Sequence, residues 1–89
     1  MTIKYTEEFI AQLKEQNVRV RKSFKKAIGE FSKNPNNSVL NNHSLKREWK
    51  GYRSIDVTSD FRAIYKEVTF GNETIIYFIS IGTHNQLYK

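Results

Sequence analysis

Apolar residues follow a helical period in the first third of this chain and an alternating period in its second half. In the first third they recur every three or four residues, which is the spacing of an amphipathic helix. These positions are Phe9, Ile10, Leu13, Val20, Phe24, Ala27, Ile28 and Phe31. Thr6 is a good N-cap, and a polar patch at Asn17 interrupts the pattern. We predict helices over residues 6–16 and 18–33; one long helix is the alternative, because the apolar phase is nearly kept across the gap.

A proline and a polar connection separate the helical part from the strands. Pro35 disfavours the helical conformation at Asn34, so the second helix is expected to end there. Residues 36–50 form a polar connection, and alternation typical of strands begins after Gly51. The predicted strands are a short edge strand at 3–5, then 52–57, 61–68 and 74–81.

These elements predict an α+β fold of order β-α-α-β-β-β in one domain spanning residues 1–89. Short turns between the last three strands make them antiparallel neighbours. The two antiparallel helices are expected to pack on one face of this small sheet, and the other face is expected to be open. Alternation assigns Phe61, Ala63 and Tyr65 to the helices. It assigns Asp60, Arg62, Ile64 and Lys66 to the open face, with Tyr52, Ser54 and Asp56 as the polar set of the preceding strand.

Composition limits the classes of function. A chain of 89 residues has a core too small for a large internal cavity, so a site must lie on a sheet face or in a shallow groove. A formal net charge of +6 favours an anionic partner. The absence of cysteine excludes disulfides and thiolate metal sites and fits a reducing cytoplasm. No signal region opens the sequence, and no apolar run is long enough to span a membrane.

The end of the chain carries side chains suited to RNA cleavage by a 2′-hydroxyl. That reaction needs a base, an acid for the leaving 5′-oxygen, and cations near the phosphate. His84 is the candidate acid, because only histidine ordinarily titrates near neutral pH. Asp60 is the candidate base, with Asp56 or His43 as less direct choices. Arg62 offers a bidentate fork to phosphate oxygens.

Other side chains are candidates for binding the substrate. Tyr88 is suited to stacking on a nucleobase. The further candidates are Lys46, Arg53, Asp56 and Lys66. Each candidate also has an ordinary structural explanation, such as a turn closed by Asp60 or an ion pair between Asp60 and Arg62. Two widely separated histidines give no metal-binding spacing, so neither a metal nor a cofactor is expected.

A cationic segment lies on the second predicted helix. Residues 19–26 contain five lysines and arginines and no acid. Such a segment is most often a solvated helix face, and a surface for phosphates or an acidic partner is the second interpretation.

Several short motifs, in this order, resemble the RelE/ParE toxin superfamily, and within it the YafQ-type branch. The motifs are Tyr5-Thr6-x-x-Phe9, Asn34-Pro35, His43-Ser44-Leu45, Gly51-Tyr52-Arg53, the run from Asp60 to Lys66, and the run from Gly82 to Tyr88. The histidine motif near residue 43 and the Gly-Thr-His motif near residue 84 are the most specific. The resemblance covers essentially the whole chain.

The resemblance implies a type II toxin, neutralised by a co-expressed antitoxin, that cuts mRNA in the ribosomal A site. Such an enzyme is a metal-independent endoribonuclease of the cytoplasm, whose partners are the ribosome, mRNA and antitoxin. The branch's functional positions correspond here to His43, Asp60, His84 and Tyr88. Asp56 occupies a place where that branch often has another histidine, which leaves the division of proton-transfer roles open.

Two other functions compete with this one. A ParE-like toxin has the same fold but inhibits DNA gyrase without nuclease chemistry. The motifs around His43 and His84 argue against it, since binding alone does not require two histidines meeting on the sheet. A basic RNA-binding module without catalysis is the third interpretation.

Overall fold

Five strands and three α-helices make up the described part of the chain. The computed structural model describes residues 1–88. The elements are β1 (Thr2–Tyr5), α1 (Glu7–Glu15), α2 (Val18–Lys33), β2 (His43–Ser44), β3 (Tyr52–Asp56), β4 (Phe61–Phe70), β5 (Glu73–Thr83) and α3 (His84–Leu87). Short 3-10 turns lie at 38–40 and 47–49. No helix among residues 1–88 has the length and apolar character needed to cross a membrane.

Side-chain caps divide the helical region into two helices, as predicted. The Thr6 hydroxyl accepts a hydrogen bond from the Phe9 amide at 3.1 Å, and the Asn17 side chain accepts one from the Val20 amide at 3.0 Å. Gln16 has extended backbone angles and ends α1. A helix start with its own cap satisfies an amide that would otherwise lack a partner. The alternative of one long helix is therefore wrong.

The sheet is mixed, with strand order β1-β5-β4-β3-β2. β1 lies parallel to β5 at one edge, and the remaining neighbours are antiparallel. The two-residue strand β2 and the four-residue helix α3 were not predicted. Both are too short to produce a recognisable period in the sequence.

The core lies between the two long helices and the sheet. Phe9, Phe24 and Phe31 from the helices are buried together with Tyr65 and Phe78 from the strands. Their rings are in contact, with centroids 5.2 Å apart for Phe31 and Tyr65 and 5.6 Å apart for Phe24 and Phe78. Burial of each such side chain contributes about 2 to 3 kcal/mol. The prediction that Phe61, Ala63 and Tyr65 of β4 face the helices is confirmed.

A β-bulge in β5 explains why its apolar run shows no alternation. Ile64 pairs with Ser80 and Tyr65 pairs with Phe78, so Ile79 has no opposite residue. The extra residue reverses the phase of the strand. Phe78 and Ile81, three positions apart, both enter the core as a result.

A glutamine from α1 covers part of the edge of β5. The partner strand β1 ends opposite Phe78. Beyond that point the Gln12 side-chain oxygen accepts hydrogen bonds from the Ile81 amide at 2.9 Å and from the Ser80 hydroxyl at 3.2 Å. The α1 helix therefore satisfies a backbone group that no neighbouring strand reaches.

The face of the sheet away from the helices, here called the outer face, is covered at its centre. Ile64 and Ser54 point to this face, yet both are fully buried. α3 folds back over it, because an added Cβ on Gly82 would lie 3.5 Å from the Leu87 side chain. The expectation of an open outer face is wrong here. The last predicted strand ended at residue 81, and helix α3, which follows it, was not predicted.

We expect Gly82→Ala to destabilise the protein. The new Cβ would lie 2.9 Å from Oε1 of Gln86, and that oxygen is held by the Thr83 amide at 2.9 Å. Overpacking of this kind costs about 1 to 3 kcal/mol. Urea unfolding measures the loss, with Gly29→Ala as the matched control.

We expect the control substitution, Gly29→Ala, to stabilise the protein. A Cβ on Gly29 meets no atom within 4 Å, and the residue lies exposed within α2. Alanine in an exposed helix interior is more stable than glycine by about 1 kcal/mol. Equal effects of the two substitutions would contradict the close packing of α3 on Gly82.

Candidate functional site

Asp60 and His84 meet at one end of the sheet. Asp60 precedes β4, His84 follows β5, and Phe61 is paired with Thr83 between them. The His84 amide donates a hydrogen bond to the Asp60 carbonyl oxygen at 3.3 Å. Both side chains are exposed and line a shallow groove of about 330 Å³. Two exposed residues, one with a carboxylate and one with an imidazole, therefore border the same open volume.

The turn before β4 is held by a threonine and leaves the Asp60 carboxylate free. The Thr58 hydroxyl accepts hydrogen bonds from the amides of Asp60 and Phe61, at 3.2 and 3.0 Å. Thr58, rather than the Asp60 side chain, closes this turn. Within residues 1–88 the Asp60 carboxylate takes part in neither a hydrogen bond nor an ion pair. It is consequently available to a ligand in the groove.

α3 fixes the relative positions of His84 and Tyr88. A capping box starts the helix: the Thr83 hydroxyl accepts from the Gln86 amide at 3.2 Å, and the Gln86 side chain accepts from the Thr83 amide at 2.9 Å. One helical turn later the Tyr88 ring packs edge-to-face on the His84 ring, with centroids 4.7 Å apart. The imidazole thus has an aromatic wall on one side.

Trp49 anchors α3 and was missed as a site residue. Its indole N–H donates to the Leu87 carbonyl oxygen at 3.0 Å, and its ring packs edge-on against Tyr52 at 5.5 Å. This contact brings the 46–49 segment, including Lys46, beside Tyr88. The available signal was the single tryptophan of a mainly polar connection.

Arg62 is occupied within the protein. Its Nε lies 2.9 Å from Oδ1 of Asp56, an ion pair by distance although its angle is not that of a hydrogen bond. The two hydrogens of its Nη1 are shared among the carbonyl oxygens of Thr58, Ser59 and Phe61, which lie 3.0 to 3.1 Å from that nitrogen. The expected pairing with Asp60 is wrong, because Asp56 is the residue directly opposite Arg62. Arg62 therefore braces the turn that carries Asp60.

His43 lies on the outer face but apart from Asp60 and His84. It pairs with Ser54 from the edge strand β2. Three strand spacings, roughly 14 Å, separate β2 from β5. Nδ1 of His43 lies 2.8 Å from the Asn41 carbonyl oxygen, which only accepts hydrogen bonds. Nδ1 is therefore the protonated nitrogen, and in the neutral ring Nε2 keeps a free lone pair.

The two remaining cationic candidates lie on opposite faces. Arg53 is on the helix-facing side, where its Nε donates to the Asn42 side chain at 2.9 Å. Lys66 is on the outer face, with its ammonium 5.8 Å from the centroid of the Tyr52 ring. Of these two, Lys66 shares a face with the site. Among residues 1–88, no three His, Cys, Asp or Glu side chains come together as a metal site.

Comparison with known proteins gives the class of this chain. The fold matches a YoeB/ParE toxin from Agrobacterium tumefaciens, with 20% identity, a TM-score of 0.75, and coverage of 94% of this chain and 99% of that one. YafQ from E. coli matches with 28% identity, a TM-score of 0.78, and coverage of 98% and 97%. YafQ in the E. coli DinJ–YafQ complex matches with 27% identity, a TM-score of 0.68, and coverage of 98% and 97%. No curated protein sequence matches the chain.

The family follows from a match over the whole length. A model described as the bacterial toxin of a type II toxin-antitoxin system, YafQ, matches residues 1–89. The chain therefore belongs to the YafQ family of type II toxins. The resemblance inferred from the sequence motifs is confirmed, as is the α+β toxin fold.

We expect Tyr88→Phe to raise stability by about 1 kcal/mol. The Tyr88 hydroxyl is buried and has no hydrogen-bond partner among residues 1–88, and an unpaired buried polar group costs about 1 to 3 kcal/mol. Tyr65→Phe is the matched control, because the Tyr65 hydroxyl accepts from the Asn42 side chain at 2.8 Å. The free energy of unfolding of Tyr65→Phe should fall by about 1 kcal/mol. Thermal unfolding of both variants tests the contrast, and a loss at Tyr88 equal to that at Tyr65 would contradict it.

Proposed function

We propose that this toxin is an endoribonuclease that cuts mRNA on the ribosome through attack by a 2′-hydroxyl. The observation that carries the proposal is the shared groove of Asp60 and His84, with the Tyr88 ring against the imidazole. A carboxylate and an imidazole facing one volume are the groups that a concerted proton transfer needs. The YafQ family membership supports the same reaction class.

His84 is proposed as the general acid and Asp60 as the general base. Histidine suits the acid role because it exchanges protons near neutral pH. The Asp60 carboxylate suits the base role because the Thr58 hydroxyl, and not the carboxylate, satisfies the turn amides. His43 is the alternative base, since Nε2 of its neutral ring has a free lone pair. Its distance from the groove favours Asp60.

Stabilisation of the phosphate is proposed to come from cations on the outer face. Arg62 contributes through a charge partly neutralised by Asp56. Lys46, beside Tyr88, and Lys66, above Tyr52, are exposed. A charge aimed at the developing oxyanion lowers the barrier most when no other group already neutralises it. Lys46 and Lys66 are therefore the stronger candidates, and Tyr88 is proposed to stack on a base of the substrate.

The proposed protein partner is an antitoxin. E. coli YafQ has been crystallised with DinJ, and that YafQ is 27% identical to this chain. With a net charge of +6, this toxin favours a partner that is acidic on its contact surface. A short, partly disordered protein that folds on the toxin fits the role, in the reducing cytoplasm where translating ribosomes are found.

We expect His84→Ala to reduce mRNA cleavage by roughly a hundredfold or more, because general acid catalysis is typically worth that much. Single-turnover cleavage on saturated translating ribosomes measures the chemical step, and ribosome binding should remain nearly intact. His43→Ala in the same assay tests the alternative base. Asn72→Ala, in the exposed turn between β4 and β5, is the control. Normal cleavage by His84→Ala would refute the acid assignment, and gyrase inhibition without any cleavage would favour the ParE-like function.

We expect the association rate with the antitoxin to fall as salt rises, because salt screens the attraction between opposite charges. Stopped-flow association at several salt concentrations measures how steeply the association rate falls with salt. The triple variant Lys22→Ala, Lys25→Ala, Lys26→Ala removes three exposed cations of α2, so its association rate should depend less on salt. A rate that does not depend on salt in the unmodified toxin would contradict an acidic contact surface.

A further inference from the structure

A second groove lies at Tyr88, next to the site. It has a volume of about 350 Å³ and is lined by Lys46, Arg47, Glu48, Trp49 and Tyr88. The Tyr88 ring also packs on the His84 ring at 4.7 Å. The two grooves are therefore connected through one ring contact: Tyr88 lines the second groove, and His84 lines the first together with Asp60. A chain molecule that reacts in the first groove can extend into the second.

Two aromatic side chains in this second groove are held in fixed positions. The Trp49 indole is fixed by its hydrogen bond to the Leu87 carbonyl oxygen at 3.0 Å and by edge-on packing against Tyr52. Tyr88 is fixed by its backbone bond to His84 at 3.0 Å and by the ring contact. Aromatic surfaces that need no ordering on binding are suited to nucleobases, since every base has a face that stacks.

The charges of the groove favour an anion next to these rings. Lys46 and Arg47 are exposed and form no ion pair within residues 1–88. Glu48 is the one carboxylate in the lining, so the local balance remains positive. Arg47 has a left-handed backbone with φ of 57°. This conformation is uncommon for a residue other than glycine and is often found at functional sites.

We propose that this second groove binds the nucleotide next to the cleaved bond of the RNA. Its base lies against Trp49 and Tyr88, and its phosphate lies on Lys46 and Arg47. The proposal deepens the proposed nuclease function and rests on it for the identity of the substrate. An acidic peptide is the competing ligand; it satisfies the two cations but leaves the aromatic surfaces without a stacking partner.

Trp49 provides a direct signal for the test, because it is the only tryptophan of the chain. The probe is a single-stranded trinucleotide with 2′-O-methyl riboses, which has no free 2′-hydroxyl and remains uncut. Its binding to the toxin of residues 1–89 is followed by Trp49 fluorescence and, independently, by anisotropy of a dye on the oligonucleotide. A base stacked beside the indole is expected to quench the fluorescence with the same midpoint as the anisotropy change.

The decisive variant is Lys46→Ala with Arg47→Asn, because asparagine tolerates the left-handed backbone at position 47. We expect its affinity for the trinucleotide to fall by roughly tenfold or more, as two charge-assisted contacts are lost. The control, Lys4→Ala with Lys33→Ala, removes the same charge from exposed positions on β1 and at the end of α2. Tyr88→Ala is expected to weaken binding about five- to a hundredfold.

Several results would overturn this assignment. They are anisotropy without quenching, no binding by either signal, equal losses in the two lysine-containing double variants, and equal quenching by an acidic peptide. The nuclease proposal is tested separately with the same Lys46/Arg47 variant on translating ribosomes. If the unmodified toxin binds the trinucleotide but cleaves no mRNA, the nuclease proposal is rejected and the nucleotide-binding role of the second groove is retained. If the variant cleaves mRNA and binds the trinucleotide as the unmodified toxin does, the nucleotide-binding role of the second groove is rejected and the nuclease proposal is retained.

Discussion

The pairing of β4 with β5 is the constraint on which the rest of this molecule depends. Because Phe61 lies opposite Thr83, the residues just outside that pair, Asp60 and His84, have to meet at the end of the sheet. The register is fixed by burial: shifting it by one residue would turn Tyr65 out of the aromatic core. The same contacts that stabilise the fold thus set the geometry of the candidate site.

The outer face has separate regions for bracing and for binding. Arg62 and Asp56 neutralise one another and hold the turn, so these charges serve the shape of the site. Among the exposed cations, Lys46 and Arg47 come from the 46–49 segment, which is tied to α3 through Trp49, and Lys66 comes from β4. A connection without long regular structure therefore adds two positive charges to the one that the sheet provides, while the sheet also carries the carboxylate and its support. This division is typical of loops that are positioned by a rigid scaffold.

Sequence patterns predicted the parts of this fold that depend on local signals. The caps at Thr6 and Asn17 gave the two helices, and alternation gave the faces of β3 and β4. Trp49 escaped prediction because its contact with Leu87 joins residues 38 positions apart. The covered outer face escaped it because α3 has only four residues. The nearness of Asp60 to His84 follows from the predicted hairpin, whereas the distant edge position of His43 depends on the strand order.

The Gln12 contact with β5 also limits how another chain can extend this sheet. Exposed strand edges present unpaired amides and carbonyls that attract further strands. Beyond Phe78 that attraction is blocked on β5, because α1 lies alongside and Gln12 already accepts from Ile81. β2, at the far edge, has only two residues. Within residues 1–88 the longer free edge is that of β1, so growth of the sheet by a foreign strand is directed to the beginning of the chain, away from the groove of Asp60 and His84.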